Sequence, residues 1–411
     1  MNSSGRAAGS FSGIIYSGTS PSSMKWVADR YELELLESCV PFWEKNCPDR
    51  ECGGYFNFLA RDGRVFDQEK SMWMQWRIVY MFATLYHSRY RQERWLELAV
   101  QGFDFLTRCG KDQNGNYYFT LNRQGEPMSV AHSLYSDCFA AMGSAALYQV
   151  TGEMRFRQEA ELAMAHYRAR IDHPKGRWDK SLPGRPRRRT LGHYMMLANL
   201  GCVLNECLGT TQYEAEIREA AQTVLGTFWQ PTRRQLFENV NLDGSIDLES
   251  CEGRHLNPGH ALEAMWFLLQ YAHRAGDAVI SATASDVIAA TLESGWDTEH
   301  GGIFYFQDAE GLPHPELQWD MKLWWVHNEA ILAALFAYRA TGDSSFLDWF
   351  KRLDEWTWQR FPDHEYGEWF AYLNRRGEPT STLKGSRWKC FFHLPRCLLL
   401  ATTILRNPTG K

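Results

Sequence analysis

The stretch "GGYFNFLARDGRVF" (Gly53–Phe66) runs through alternating aromatic and polar residues into an Asp-Gly turn, the pattern of a small β-hairpin. It recurs as "NGNYYFTLNRQGEP" (Asn114–Pro127), "QLFENVNLDGSI" (Gln235–Ile246), "GGIFYFQDAEGLP" (Gly301–Pro313) and "YGEWFAYLNRRGEP" (Tyr366–Pro379). A degenerate copy, "KGRWDKSLPG" (Lys175–Gly184), fills the one gap, so the chain repeats with a period of about 60 residues.

Between the hairpins, apolar spacing near 3.6 predicts helices over 24–46, 70–90, 93–109, 131–150, 153–170, 188–208, 212–229, 258–275, 277–294, 318–340, 344–360 and 387–405. Six helical pairs of this kind form either an open solenoid or a closed toroid. The helix after each hairpin is apolar nearly all round, as an inner ring requires. The expected fold is therefore all-α, an (α/α)6 barrel with short β-hairpins at one end. No polar linker divides it, so 24–411 reads as a single catalytic domain behind a Ser- and Gly-rich disordered leader, 1–23.

Composition narrows the partners. A formal charge of -5 gives no electrostatic reason to bind nucleic acid or an anionic membrane, and no apolar run reaches the length of a bilayer span. Ten cysteines without a C-x-x-C pair fit reduced thiols in a cytoplasm better than disulfides or a zinc site. The 17 tryptophans suit a large helical core or a sugar-stacking cleft. Tyr55, Tyr117 and Trp369 in the hairpins fit either.

Polar groups gather near the starts of the six presumed inner helices. They are Arg77 in "MWMQWRIVY", His132 and Asp137 in "AHSLYSDCF", His193 in "LGHYMML", His260 and Glu263 in "NPGHALEAMW", His327 and Glu329 in "LWWVHNEA", and His393 in "KCFFHLPR". One histidine on an apolar helix is usually a core residue; five at corresponding ends of a ring point to a site. With neighbouring inner helices about 10 Å apart, helices two steps apart have axes roughly 17 Å apart, which leaves inward-reaching histidines a gap the size of a monosaccharide. His260 and His393 stand two steps apart, Glu329 comes from between them, and Arg77 lies on the next helix beyond His393.

Asn257 is a good N-cap and Pro258 a good first helical residue. If Pro395 opens the last helix in the same way, His393 stands just before it. A helix N-terminus disfavours an imidazolium, so both rings are expected to be neutral. Two neutral bases on opposite sides of one carbon suit proton removal and return there.

At this point the segments "NPGHALEAMWFLL", "LWWVHNEAILA", "WKCFFHLPRCLL" and "SMWMQWRIVYMF", with "LYSDCFAAM" and with "LPGRP" leading into "YMMLANL", resemble the signature segments of the N-acylglucosamine 2-epimerases, also called renin-binding proteins. The resemblance runs from about Met24 onward and implies an (α/α)6 barrel that interconverts N-acetylglucosamine and N-acetylmannosamine after ring opening. It further implies ATP as an activator that is not consumed, a homodimer, and a cytoplasmic place in sialic-acid or amino-sugar metabolism. His260 and His393 become the acid/base pair and Arg77 the donor to the enolate oxygen; Glu329 either binds a sugar hydroxyl or orients an imidazole. Glu263, Asp137, His327, Trp325 and Met196 are the expected substrate contacts, with Glu263 orienting His260 or touching the sugar. Met196 stands where the related cellobiose 2-epimerases and aldose-ketose isomerases carry a further histidine, which favours the N-acyl sugar epimerase, although His193 lies one turn earlier.

The basic stretch Lys175–Thr190 makes Arg185, Arg187, Arg188 and Arg189 the candidate ATP-phosphate group, without the P-loop that hydrolysis would need. A metal site on His260-x-x-Glu263 lacks further ligands, so no metal is expected. A glycoside hydrolase using Asp137 and Glu329 would leave the paired histidines unexplained, as would a non-catalytic binding protein.

Overall fold

The computed structural model of the chain describes residues 21–130, 134–173 and 187–408; His132, the degenerate hairpin and Arg185 fall outside them. The helix pairs follow the predicted order. The first outer helix runs as α1 (Pro21–Leu33), a π-helical segment (Glu34–Cys39) and α2 (Val40–Asn46). It is followed by α3 (Met72–His87), α4 (Glu93–Cys109), α5 (Tyr135–Thr151), α6 (Met154–Arg170), α7 (Leu191–Leu208) and α8 (Glu214–Thr223). The second half adds α9 (Pro258–Ala275), α10 (Ala278–Gly295), α11 (Trp324–Thr341), α12 (Ser344–Trp358) and α13 (His393–Arg406).

The odd-numbered helices from α3 to α13 form the inner ring, each packed on the next. Phe391 and Phe392, just before α13, meet Phe82 and Tyr80 of α3 and complete it. Composition separates the layers as expected: α11 is buried without a break from Trp324 to Ala337, whereas outer α4 buries only the stripe Trp95, Leu98, Ala99, Gly102, Phe103, Phe105 and Leu106. The hairpin aromatics Tyr55, Tyr117 and Trp369 belong to this core and not to a cleft. All ten cysteines are unpaired, and among the described residues no helix is long and apolar enough to cross a membrane.

Several inner helices begin later than apolar spacing predicts, because the residues before them are claimed by the neighbouring repeat. Lys70–Ser71 pairs with Thr120–Leu121, Arg188–Thr190 with Asn239–Asn241, and Lys322–Leu323 with Tyr372–Leu373, all antiparallel. These pairings satisfy backbone groups that a longer helix would have used, so α3, α7 and α11 start at Met72, Leu191 and Trp324. The first helix moves the other way, starting at Pro21 instead of Met24.

A buried ion cluster repeats at this rim. Asp49 binds Lys70 at 3.0 Å and Arg123 at 3.0 Å; Asp297 binds Lys322 at 3.2 Å and Arg375 at 2.8 Å. In both cases the lysine precedes the next inner helix and the arginine comes from the next hairpin. The third copy, Asp363 with Lys384 at 2.9 Å and Arg61 at 2.7 Å, joins the last repeat to the first. Burial pushes Lys322 and Lys384 down to about 8, a cost that only close pairing makes tolerable.

Candidate active site

At the hairpin end of the ring lies a cavity of about 580 Å³, walled by aromatic and methionine side chains and reached by Arg77, His260, Glu263 and His393. The start of α9 shows how the sequence places His260. The Asn257 side chain accepts a hydrogen bond from the His260 backbone N–H at 3.1 Å, and Pro258 is the first helical residue. Gly259 permits the close approach of Trp325: a Cβ there would stand 2.5 Å from the indole.

His260 Nδ1 donates to both oxygens of Glu238 at 3.0 Å, which leaves Nε2 for the cavity. Glu238 is itself held from two sides, its backbone N–H donating to the His255 carbonyl and its own carbonyl accepting from Leu191. Burial disfavours the charged ring, but the Glu238 carboxylate outweighs it and places the His260 pKa above the usual imidazole value. The shift runs opposite to the one expected from a helix N-terminus: a full charge at contact distance dominates the fractional charge of the terminus.

His393 is the first residue of α13, with Pro395 in its first turn, so the helix begins two residues earlier than the proline suggested. Its Nδ1 donates to Glu329 Oε1 at 2.7 Å. That carboxylate is already shared, with Arg396 on the same oxygen at 2.7 Å and the Trp266 indole N–H on the other at 2.7 Å. Burial holds the His393 pKa well below the usual value; Glu263 opposes this, and Arg77 and Arg396 reinforce it. Glu329 thus orients an imidazole, the second of its two expected roles. Trp325 lies between the histidines, its ring 5.5 Å from that of His260 and 5.6 Å from that of His393.

Glu263 does not orient His260. Its Oε1 accepts from Arg396 at 2.6 Å, so His260-x-x-Glu263 on α9 faces His393-x-x-Arg396 on α13 across an ion pair. Ligand atoms of Glu263, Glu329 and His393 lie within 4.8 Å of one another, and the Arg396 guanidinium bridges the two carboxylates. Arg77 is different: among the described residues no carboxylate lies within ion-pair distance, and its guanidinium is boxed by Trp73, Phe139 and Phe392 at 4.7, 4.2 and 4.7 Å. It is a cation presented to the cavity with no carboxylate at contact distance among the described residues.

Of the other expected contacts, Trp325 and Met196 line the cavity, Met195 beside Met196, while His193 does not. Two expectations are corrected. Asp137 turns outward to Arg170 of α6 at 2.7 Å. His327 is fully buried: Nδ1 donates to the Leu323 carbonyl at 2.8 Å, Nε2 accepts from the Ile303 N–H at 3.1 Å, and burial pulls its pKa to about 3. It stacks on Trp356 and is a structural residue. Substituting His327 with Ala strands the Ile303 N–H and should cost about 1–3 kcal/mol of stability, read by denaturant unfolding, with catalytic constants unchanged.

Sequence reasoning missed Glu238 and Arg396. Arg396 repeats the three-residue spacing of His260 and Glu263, a usable signal. Glu238 lies in a hairpin with few aromatics and gave none.

Known proteins resemble this chain in sequence and in fold. A family model described as N-acylglucosamine 2-epimerase (GlcNAc 2-epimerase) matches residues 54–397. The chain is 42% identical over 391 residues to the N-acylglucosamine 2-epimerase of Bos taurus, covering 92% of this chain and 91% of that one. It is 38% identical over 383 residues to that of Homo sapiens, covering 90% and 88%. Among solved structures, the cellobiose 2-epimerase of Spirochaeta thermophila shares the fold with a TM-score of 0.81 at 20% identity, covering 93% of this chain and 98% of that one.

Proposed function

The chain belongs to the N-acylglucosamine 2-epimerase family, and from that premise we propose that it interconverts N-acetyl-D-glucosamine and N-acetyl-D-mannosamine by moving a proton at C2. The observation that carries the mechanism is the pair of histidines, each anchored through Nδ1 to its own carboxylate and each lining one cavity beside Arg77.

Once the sugar ring is open, C2 is acidic beside the C1 aldehyde. Neutral His393 takes the C2 proton, and the electron pair moves onto the carbonyl oxygen, where Arg77 meets the developing charge. Protonated His260 then delivers a proton to the opposite face. The reverse reaction uses the same groups in exchanged roles. Met196 on the cavity wall, in place of the further histidine expected in cellobiose 2-epimerases and aldose-ketose isomerases, supports an N-acyl sugar epimerase. Incubation of either sugar in heavy water tests the proposal: the other epimer should form with deuterium at C2. A hydrolase or a binding protein would leave that hydrogen in place.

Glu238 gives the pH dependence a sign. Its charge raises the His260 pKa, so the acid form persists to higher pH and is lost as pH climbs through that value. In Glu238→Gln the alkaline limb of the kcat/KM profile should move down by about one pH unit. An unmoved limb would remove Glu238 from the mechanism.

ATP activation, a cytoplasmic setting, a role in amino-sugar or sialic-acid metabolism and a homodimer belong to the same proposal; the ten unpaired cysteines support the reducing compartment. Acidic neighbours of Arg188 weigh against a triphosphate there. Arg188 is engaged by Asp247 and by Glu252, Arg187 donates to the Asp172 carbonyl, and the surface beside them carries Asp243, Asp247 and Glu249. Assay with and without ATP decides activation, and neutralising Arg187, Arg188 and Arg189 together is expected to leave any ATP dependence as it was.

A further inference from the structure

Both histidines act at C2. Each gives one nitrogen to a carboxylate and so presents a single nitrogen to the substrate. Yet a cyclic hexosamine must open before C2 becomes acidic, and opening a hemiacetal moves two protons: O1 loses one as O5 gains one.

Glu263 is the one carboxylate among the described residues lining the cavity. It stands one turn after His260 on the same helix and is only 5% exposed. Arg396 fixes it through Oε1, the one Glu263 oxygen that the hydrogen bonds of the described residues engage. A carboxylate oxygen of Glu263 also lies within 4.8 Å of a His393 ring nitrogen. We propose that Glu263 is the ring-opening base, and that the chain therefore catalyses interconversion of the α and β anomers of its sugar as an activity separable from C2 chemistry. The sugar's identity rests on the epimerase reading above.

The steps balance. Glu263 takes the O1 proton, the O1 electron pair forms the C1 carbonyl, the C1–O5 bond breaks, and O5 takes the proton of His260 Nε2. O5 and C2 are both bonded to C1, so a nitrogen placed for one is near the other. Glu263, now protonated, returns its proton to His260 one turn away. C2 chemistry then leaves His393 protonated and His260 neutral. On closure His260 takes the O5 proton as O5 adds to C1, and the His393 proton passes through Glu263 to O1. The enzyme ends as it began, with no separate step needed to restore its protonation state.

The experiment follows N-acetylglucosamine labelled at C1 by NMR, reading α/β magnetisation exchange, alongside deuterium entry at C2. Wild type should exchange anomers faster than buffer, and Glu263→Gln should fall to the buffer rate, with Glu263→Asp recovering part. Epimerisation by Glu263→Gln should also stop rising with enzyme concentration, because spontaneous ring opening in solution becomes limiting. A structural or C2 defect would stay proportional to enzyme. Anomer exchange retained in Glu263→Gln, or epimerisation still proportional to enzyme, overturns the proposal. Wild type that exchanges anomers without deuterium at C2 would instead overturn the epimerase reading and leave this one standing.

Discussion

Replacing His393 with Asn should lower kcat/KM by about 10³- to 10⁴-fold, and so should His260→Asn, but the two variants should fail differently. An Asn amide can still donate to Glu329 or Glu238, so the orienting contact has a substitute while the base is lost. Each variant keeps one histidine, and that histidine still faces C2 from one side. In heavy water His393→Asn should therefore exchange the C2 hydrogen of only one epimer, and His260→Asn that of only the other, neither giving inversion. Exchange of both epimers by either variant would mean that a single group serves both faces.

Arg396→Met should cost about 3–5 kcal/mol of stability, because Glu263 and Glu329 would be left buried at close range without their shared cation. Denaturant midpoints measure this. The variant should also show a change that mere loosening would not cause. Burial is the main reason the His393 pKa is low, and the Arg396 charge adds to it, so without Arg396 that pKa rises from its depressed value. His393 must be neutral to take the C2 proton, and that form is lost as pH falls through its pKa. The acid limb of the profile should thus move to higher pH, and Arg396→Lys should partly reverse it.

The ring itself was legible in the sequence because hairpin turns and the 3.6 period are local patterns. So was the start of α9, since Asn257, Pro258 and Gly259 act within one helical turn. What escaped depends on the neighbouring repeat. The starts of α3, α7 and α11 are set by strand partners about 50 residues away in the next repeat, and the His260 protonation state by Glu238, 22 residues upstream in a hairpin. His327 was misread for a reason the sequence did contain: two residues along a helix is a rotation of roughly 200°, so His327 and Glu329 face opposite ways. Arg396 lies three residues after His393, and its task depends on carboxylates from α9 and α11 that its own segment does not contain.

The cluster of Asp363 with Arg61 and Lys384 has a consequence for how the molecule comes apart. In an open repeat array the terminal units have one neighbour and fray first. Here the first hairpin is bound by the last, so every repeat has two neighbours and unfolding has no weak end from which to start. Local opening must break two interfaces at once. The catalytic arc spanning α9, α11, α13 and α3 crosses that junction, where Phe391 and Phe392 meet Phe82 and Tyr80, so the ion cluster helps to hold the arc together.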